Sequence, residues 1–298
     1  MTASVNNRPV AAALSMLSAM ATIGFIDNFV GEISAHVSVW QFIWMRSTVM
    51  FPLLILMSLV GLGTLWAVRW RPVLARATII TCAMVLYFGS LGLMPITQAL
   101  AGLFTSPIWV LLINLVFMRR RIGPWRIAAV FIGFAGILLV LQPGTDGFGL
   151  SMLMPVAAGL FYAVSSIATR SWCAGESALA LLGTNMAVMW VVGGLATLLL
   201  GITPLEQQDF LTRSPSWEIW PIVPYILLQA VGSLTGVFLI IRAYQMDEPT
   251  NVAVFEYSVM LFGPVFAFLL FGQGVNGLQA IGIAMIAASG VIIAIRSK

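Results

Sequence analysis

The most constraining feature of this chain is a succession of apolar segments, each close to twenty residues long, that short polar or Gly/Pro-rich breaks separate. A helix of about 20 residues crosses the roughly 30 Å hydrocarbon core of a bilayer at 1.5 Å per residue. Each segment therefore predicts a transmembrane helix. The predicted spans are 10–31, 38–62, 77–95, 97–117, 125–142, 149–169, 178–201, 219–243, 249–272 and 276–295.

The composition excludes a soluble fold. Of the 298 residues, 60% are hydrophobic and only 8% are charged, and the mean hydropathy is +1.03. A soluble domain of this size has too little polar surface to cover so much apolar material. We therefore predict an all-α polytopic membrane protein.

The basic residues indicate how the chain lies in the membrane. The net charge is +4, and the cations form short clusters between apolar runs, such as Arg119–Arg121. Such clusters are typical of cytoplasmic loops that face anionic lipid, and they argue against a nucleic-acid partner. With the N-terminus inside, only Arg213 among the loop and tail cations falls outside. We expect both termini in the cytoplasm and a location in the bacterial cytoplasmic membrane.

The two halves of the sequence resemble each other. Each half holds five predicted spans, and the run 106–141 is similar to 263–295 with an offset of about 153 residues. Small residues recur at Gly133 and Gly136 and at Ala287 and Gly290. An odd number of spans per copy turns the second copy upside down, as in many transporters. We expect repeats at 10–142 and 149–296 that form one integrated unit.

Two sequence runs carry a resemblance to a known family. SLGLMPITQALAGLFTSPIWVLL (90–112) and NVAVFEYSVMLFGPVFAFLLFGQ (251–273) resemble signature segments of EamA-type transporters of the drug/metabolite transporter superfamily. The resemblance implies ten helices, arranged as two inverted five-helix repeats around a central cavity, and transport by alternating access. Two positions depart from the family pattern of Gly-Glu pairs, since Arg119 and Arg120 replace one pair and Gly272-Gln273 replaces the other. The family carries amino acids, nucleotides, amines, vitamins and drugs, so the resemblance leaves the substrate open.

Besides Arg126 and Arg242, which stand one residue from the ends of their spans, three charged residues fall inside predicted spans, where each charge costs at least about 2.5 kcal/mol on insertion scales. Asp27, with Asn28 beside it, lies near the outer end of the first span, and Arg46 lies in the second. One interpretation is a structural Asp27–Arg46 pair or an arginine that reaches toward the interface. The alternative is that Arg46 faces the cavity, where it binds a substrate carboxylate or holds a gate.

Glu256 stands in the ninth span between Phe255 and Tyr257, with no cation near it in sequence. Such an acid either exchanges a proton, binds a cationic group or forms a structural hydrogen bond to another helix. We predict that it belongs to the substrate or coupling site, because the resemblance implies that this motif lines the cavity.

Aromatic residues at membrane depth complete the candidate site. Trp44, Trp109 and Tyr162 accompany the aromatic neighbours of Glu256, and aromatic faces near a carboxylate suit an amine through cation–π attraction. The alternative is that these rings face lipid or the helix core. Pro107 and Pro264 interrupt backbone hydrogen bonding and are candidate hinges at corresponding places in the two repeats.

The sequence predicts a secondary transporter rather than an enzyme. His36 is the only histidine, and neither of the two cysteines suggests a metal site or a disulfide, so no cofactor or metal is expected. We predict a carrier, coupled to protons or driven by exchange, for a small organic metabolite such as an amino acid or amine. A passive channel and an intramembrane enzyme are the alternatives. The expected partners are the substrate, the lipid bilayer and protons, and the protein is expected to be a monomer or a homodimer.

Overall fold

The computed structural model describes residues 9–116, 124–142, 150–246, 252 and 255–295, and these residues form helices joined by turns and loops. No β-strand occurs among them. The helices are α1 (Pro9–Ile26), α2 (Val30–Ser34), α3 (Val39–Leu59), α4 (Trp70–Leu91), α5 (Ile96–Leu103), α6 (Ser106–Val116), α7 (Pro124–Leu141), α8 (Leu153–Ser171), α9 (Ala178–Ile202), α10 (Val223–Met246), α11 (Val259–Phe271) and α12 (Gly277–Ile295). Short 3₁₀ turns cover Asp27–Phe29, Leu150–Met152 and Trp220–Ile222.

Many of these helices are long and apolar enough to cross a membrane. Five stretches meet that test by length and composition: Pro9–Ser34, Val39–Leu59, Trp70–Leu91, Ala178–Ile202 and Trp220–Ile240. Five shorter apolar stretches lie at Ile96–Val110, Ile127–Val140, Leu153–Thr169, Val259–Phe271 and Gly277–Ser289, and the first of them includes the turn between α5 and α6. Helices of both groups expose large apolar side chains, such as Phe131, Leu198 and Leu269, which are 69%, 60% and 68% exposed. The prediction of an all-α polytopic membrane protein is confirmed.

Two predicted spans are interrupted in the structure. The prediction of one helix over 97–117 is wrong, because α5 ends at Leu103 and α6 begins at Ser106. In the predicted span 249–272, Phe255 and Glu256 are helical, Tyr257 and Ser258 form a turn, and α11 begins at Val259. The predicted cytoplasmic cluster Arg119–Arg121 and both chain termini lie outside the described residues.

The chain folds into two compact units, each drawing on both halves of the sequence. Unit I contains residues 1–28, 96–149 and 232–298, and unit II contains residues 29–95 and 150–231. The boundary falls within α10, so this helix contributes to both units.

The tightest packing in unit I joins α7 to α12, which run antiparallel. A Cβ atom on Gly136 would lie 2.7 Å from the Gly282 carbonyl oxygen, and one on Gly282 would lie 2.6 Å from the Gly136 carbonyl oxygen. Nearby, the buried Ser289 hydroxyl donates a 2.6 Å hydrogen bond to the Ala129 carbonyl. Only glycine allows the two backbones to approach so closely, as at small-residue contacts in membrane helices.

One sequence offset relates the helices at the end of each half. Helices α6 and α11 begin at Ser106 and Val259, which are 153 positions apart. This spacing agrees with the offset of about 153 read from the sequence. At this offset Gly133 and Gly136 correspond to Ile286 and Ser289, so the match to Ala287 and Gly290 is wrong by one position.

In unit II, α3 packs along α9 and α4 along α8. Gly193 of α9 lies against the backbone of α3, since a Cβ there would be 2.8 Å from the Trp40 carbonyl oxygen and 3.0 Å from the Trp44 nitrogen. The Ser38 side chain caps α3 by accepting a hydrogen bond from the Gln41 nitrogen. This is the usual way to satisfy an amide at a helix start.

The 203–219 loop, which joins α9 to α10, is folded back onto unit II. Phe210 is buried, and its ring packs directly against Gly92, in the space that a side chain at position 92 would need. The Phe210 carbonyl accepts a 2.8 Å hydrogen bond from the Val39 nitrogen, at the start of α3. Gln41 and Ser216 exchange two hydrogen bonds, of 2.6 and 3.1 Å. The loop is therefore an ordered cap on this end of α3 and α4.

Candidate functional site

The two interrupted helices share one hydrogen-bonding pattern. At the first break, the Thr105 hydroxyl donates to the Gly102 carbonyl over 2.8 Å, and at the second, the Ser258 hydroxyl donates to the Phe255 carbonyl over 2.6 Å. The backbone nitrogens of Thr105 and Ser258 donate to the same two carbonyls, each over 3.1 Å. A hydroxyl that bonds three residues back offers the carbonyl an alternative to the helical partner, and this favours a turn. Interrupted helices inside a membrane protein commonly mark binding sites.

The breaks meet through two aromatic rings. The rings of Phe104 and Tyr257 have centroids 6.0 Å apart and planes inclined by 51°. Tyr257, in unit I, is 9% exposed, so its ring is largely buried. Phe104 and Tyr257 lie 153 positions apart, which is also the separation of the helix starts. The contact therefore joins two positions that the offset of 153 relates.

Glu256 immediately precedes the second break. Its side chain is half-buried and follows Phe255 in a helical segment that ends at the Tyr257–Ser258 turn. A carboxylate in this position stands beside the buried Tyr257 ring and beside a backbone that is not continuously helical. Its role at the substrate or coupling site stays a prediction.

Asn28 ties the end of the first span to α11. Its amide nitrogen donates to the Gly24 carbonyl over 2.6 Å and to the Gly263 carbonyl over 3.2 Å. The backbones of α1 and α11 are also in close contact at Gly24, where a Cβ would lie 2.9 Å from the Gly263 nitrogen. Asp27, which precedes Asn28, is buried at 4% exposure in the 3₁₀ turn. Asn28 thus positions the helix that follows the Glu256 break.

Trp109 lies beside the first break. Its indole nitrogen donates to the Thr105 hydroxyl over 3.0 Å, and that hydroxyl in turn donates to Gly102. Trp109 therefore supports the turn, and its predicted contact with substrate stays a prediction.

The two prolines differ in their helical positions. Pro107 is the second residue of α6, where a missing amide hydrogen is tolerated, and Pro264 is the sixth residue of α11. The prediction that they occupy corresponding places is wrong, since Met260 lies 153 positions after Pro107. The breaks precede both prolines, and the hinge role of these residues stays a prediction.

The remaining candidates lie in unit II. Arg46 is buried at 3% exposure in α3, with its guanidinium carbon 4.4 Å from the Phe88 ring centroid and 5.6 Å from that of Phe42. Its Nη2 lies 3.9 Å from the Met189 sulfur. Aromatic faces partly replace water around a buried cation. The structure thus supplies a setting that holds a positive charge at membrane depth.

The other two unit II candidates have simpler surroundings. Trp44 packs against Gly193 and Gly194 of α9, and Tyr162 is half-buried in α8. Asp27 belongs to unit I and Arg46 to unit II, so their predicted pairing stays a prediction. Among the described residues, no group of three or more His, Cys, Asp or Glu side chains is placed to hold a metal ion.

Sequence reasoning missed three members of the arrangement around the breaks. Phe104, Thr105 and Ser258 are apolar or small polar residues of a kind common in any membrane helix, so none stands out by type. The signal that identifies them is the offset of 153, which pairs Phe104 with Tyr257 and Thr105 with Ser258.

Comparisons with known proteins agree with this architecture. Residues 10–142 match the EamA-like transporter family. A riboflavin transporter from Rhizobium johnstonii is 26% identical over 75% of this chain and 70% of its own length. A riboflavin transporter from Vibrio cholerae is 28% identical over 65% of this chain and 61% of its own length. An S-adenosylmethionine uptake transporter from Rickettsia bellii is 24% identical over 64% of this chain and 62% of its own length.

The fold is also known from a crystal structure of another protein. That protein superposes with a TM-score of 0.68 over 95% of this chain and 96% of its own length, at 17% identity. At this identity the similarity concerns the fold alone.

The apolar helices define an integral membrane protein, and the comparisons point to a transporter rather than an enzyme. The EamA-like family match over residues 10–142 agrees with the resemblance to EamA-type transporters seen in the sequence.

Proposed function

We propose that the chain is a secondary carrier that moves a small organic metabolite across the cytoplasmic membrane by alternating access. It has ten transmembrane helices, in two inverted repeats at 10–142 and 149–296 around a central cavity. Both termini face the cytoplasm. Transport is coupled to protons or driven by exchange, and the protein works as a monomer or homodimer.

The shared offset supports the inverted repeats. The starts of α6 and α11, the two breaks and the Phe104–Tyr257 contact all follow a separation of 153 residues. An offset that relates helices, turns and a contact at once exceeds what similar composition produces, because apolar composition does not fix where helices begin.

The position of Glu256 at the second break is the observation that supports the proposed site. Glu256 stands where the helix is interrupted, next to the buried Tyr257 ring and 153 positions from Leu103. Broken helices provide backbone groups for binding at the membrane midplane, and an intramembrane acid marks an ion or substrate pathway. We place the substrate or coupling site at Glu256, Phe255 and Tyr257, with Asn28 holding α11 in position.

The similar transporters suggest the class of substrate. Riboflavin and S-adenosylmethionine both combine a flat heteroaromatic ring with a hydroxylated chain or sugar, and S-adenosylmethionine also carries a sulfonium cation. Aromatic rings stack on such heterocycles, and a carboxylate attracts such a cation. We propose a substrate of this heteroaromatic class. An amino acid or amine remains the second candidate, supported by the Glu256 carboxylate alone.

Transport in proteoliposomes tests the proposal. Purified protein is reconstituted, and uptake of radiolabelled riboflavin, S-adenosylmethionine, amino acids and amines is measured with and without the unlabelled compound inside. A carrier shows saturable uptake that internal substrate accelerates. Unsaturable flux without counterflow would establish the channel alternative, and chemical conversion of the compound would establish an enzyme.

A further inference from the structure

We propose that the α7–α12 pair is a fixed pivot, which keeps its contacts while the carrier alternates between its two access states. The inference rests on the proposed inverted repeats. It concerns the side of unit I formed by the last helix of each repeat.

In a carrier built of inverted repeats, the symmetry between the repeats decides which contacts persist through the transport cycle. The two access states arise when the repeats exchange their conformations. Each contact between the repeats has a counterpart, which is found by adding the offset to the number of the residue in the first repeat and subtracting it from that of the residue in the second. A contact survives the exchange if its counterpart is already present in the structure. A contact without such a counterpart has to break.

Contacts between α7 and α12 occur in such matched pairs. The Gly136–Gly282 contact has Ala129–Ser289 as its counterpart at an offset of 153, and these residues share the 2.6 Å hydrogen bond. A second pair follows the same rule. A Cβ on Gly133 would lie 2.7 Å from the Ser289 hydroxyl, and a Cβ on Gly136 would lie 3.0 Å from Ile286.

The Phe104–Tyr257 contact also obeys the rule. Its residues are 153 positions apart, so the shift only exchanges the two residues and returns the same contact. It therefore survives the exchange as well. We assign these two residues to the axis that relates the repeats, and the α7–α12 pair to the same stationary part of unit I.

The chemistry of the α7–α12 contact also opposes sliding. The two backbones touch at Gly136 and Gly282, so any neighbouring side chain brought to this point would collide with a carbonyl. Sliding would also strip the buried Ser289 hydroxyl of its bond to Ala129. Packed contacts of this kind switch between discrete arrangements or stay in place, and the matched pairs favour staying in place.

A reversible disulfide tests the pivot. In a background with Cys82 and Cys173 replaced by alanine, the double variant G133C/S289C joins α7 to α12. Gly133 and Ser289 suit this bond because a Cβ on Gly133 would lie 3.1 Å from the Ser289 Cβ, near the usual ~3.5–4.5 Å separation. We expect uptake by the oxidised protein to stay within about twofold of uptake by the same protein after reduction. A larger loss on oxidation, restored by reduction, would overturn the pivot.

A second measurement holds even if the disulfide does not form. Spin labels are placed at Phe134 on α7 and Ile281 on α12, which are 53% and 54% exposed, so that labelling leaves the packed faces intact. The pivot requires the same label separation with and without saturating substrate, and a shifted separation would overturn it. Failure of the reduced protein and of the wild type to transport would contradict the proposed carrier function instead.

Discussion

Phe104 and Tyr257 lie 153 positions apart in the sequence, yet their rings are in contact, with centroids 6.0 Å apart. Each ring stands at the interruption of its helix, and each interruption is held by a hydroxyl bond to the third residue before it. The relationship links the proposed repeats, the proposed binding site and the proposed pivot at one place in unit I.

Removing the Tyr257 ring is expected to weaken substrate binding. The substitution Tyr257→Ala takes away the aromatic surface beside Glu256, and a lost aromatic contact corresponds to about three- to tenfold in affinity. Tyr257→Phe is the matched control, because it keeps the ring and should bind within about twofold of the wild type. Equilibrium binding of labelled substrate to purified protein measures both, and wild-type affinity in the alanine variant would remove Tyr257 from the site.

A methyl group at Gly136 is expected to destabilise the protein. The Cβ of Gly136→Ala would lie 2.7 Å from the Gly282 backbone oxygen, which cannot move aside as a flexible side chain does. Overpacking of this kind costs about 1–3 kcal/mol. Gly31→Ala is the control, since a Cβ at that helical position meets nothing within 4 Å. The two variants are compared by thermal unfolding in detergent, and an equal midpoint would show that α7 and α12 do not pack this closely.

Truncation of Phe210 is expected to loosen the 203–219 loop. Phe210→Ala empties the space above Gly92 and removes a side chain that is 3% exposed, at a cost approaching the ~3 kcal/mol seen for buried phenylalanines. Trp217→Ala serves as the control, because Trp217 in the same loop is 71% exposed. Limited proteolysis should cut the loop faster in the Phe210 variant only. Equal cleavage of both variants would mean that Phe210 does not anchor the loop.

Asp27 and Arg46 are predicted to compensate one another. Both are buried, at 4% and 3% exposure. Neutralising one partner of a buried pair leaves a charge in a poor solvent for ions, whereas neutralising both removes that cost. Asp27→Asn and Arg46→Gln should each lower the yield of folded protein, and the double variant should recover part of it. The yield of folded protein is measured by size-exclusion chromatography. If the loss of yield in the double variant equals the sum of the losses in the two single variants, the two charges act separately.

The sequence predicts the apolar helices well because lipid imposes one rule on all of them, which is a continuous stretch long enough to cross the bilayer. It indicates an offset of about 153 because the runs 106–141 and 263–295 resemble each other as whole segments, although the match of their small residues is off by one position. It misses the interruptions at Thr105 and Ser258, since a hydroxyl within an apolar helix bonds a carbonyl without breaking the helix in most settings, as Thr78 does with Leu74.

The candidate site was predictable only in part, because only a charged residue stands out by type in an apolar helix. Glu256 is conspicuous because a charge in a membrane is costly, whereas Phe104 has no such cost and is indistinguishable by type from exposed phenylalanines such as Phe131. The surroundings of Arg46 depend on Phe88 and Met189, which come from other helices and are distant in sequence. Tertiary packing alone brings such partners together.

Uptake driven by a pH gradient, compared between the wild type and Glu256→Gln, tests the central claim most directly. The claim is that Glu256 serves the substrate or coupling site of a carrier. If it carries the coupling proton, the glutamine variant should still exchange substrate across proteoliposomes but lose accumulation against a gradient. If it binds a cationic group, the variant should bind substrate more weakly, while Glu256→Asp retains part of the affinity. Wild-type affinity together with wild-type accumulation at every pH in the glutamine variant would contradict the account.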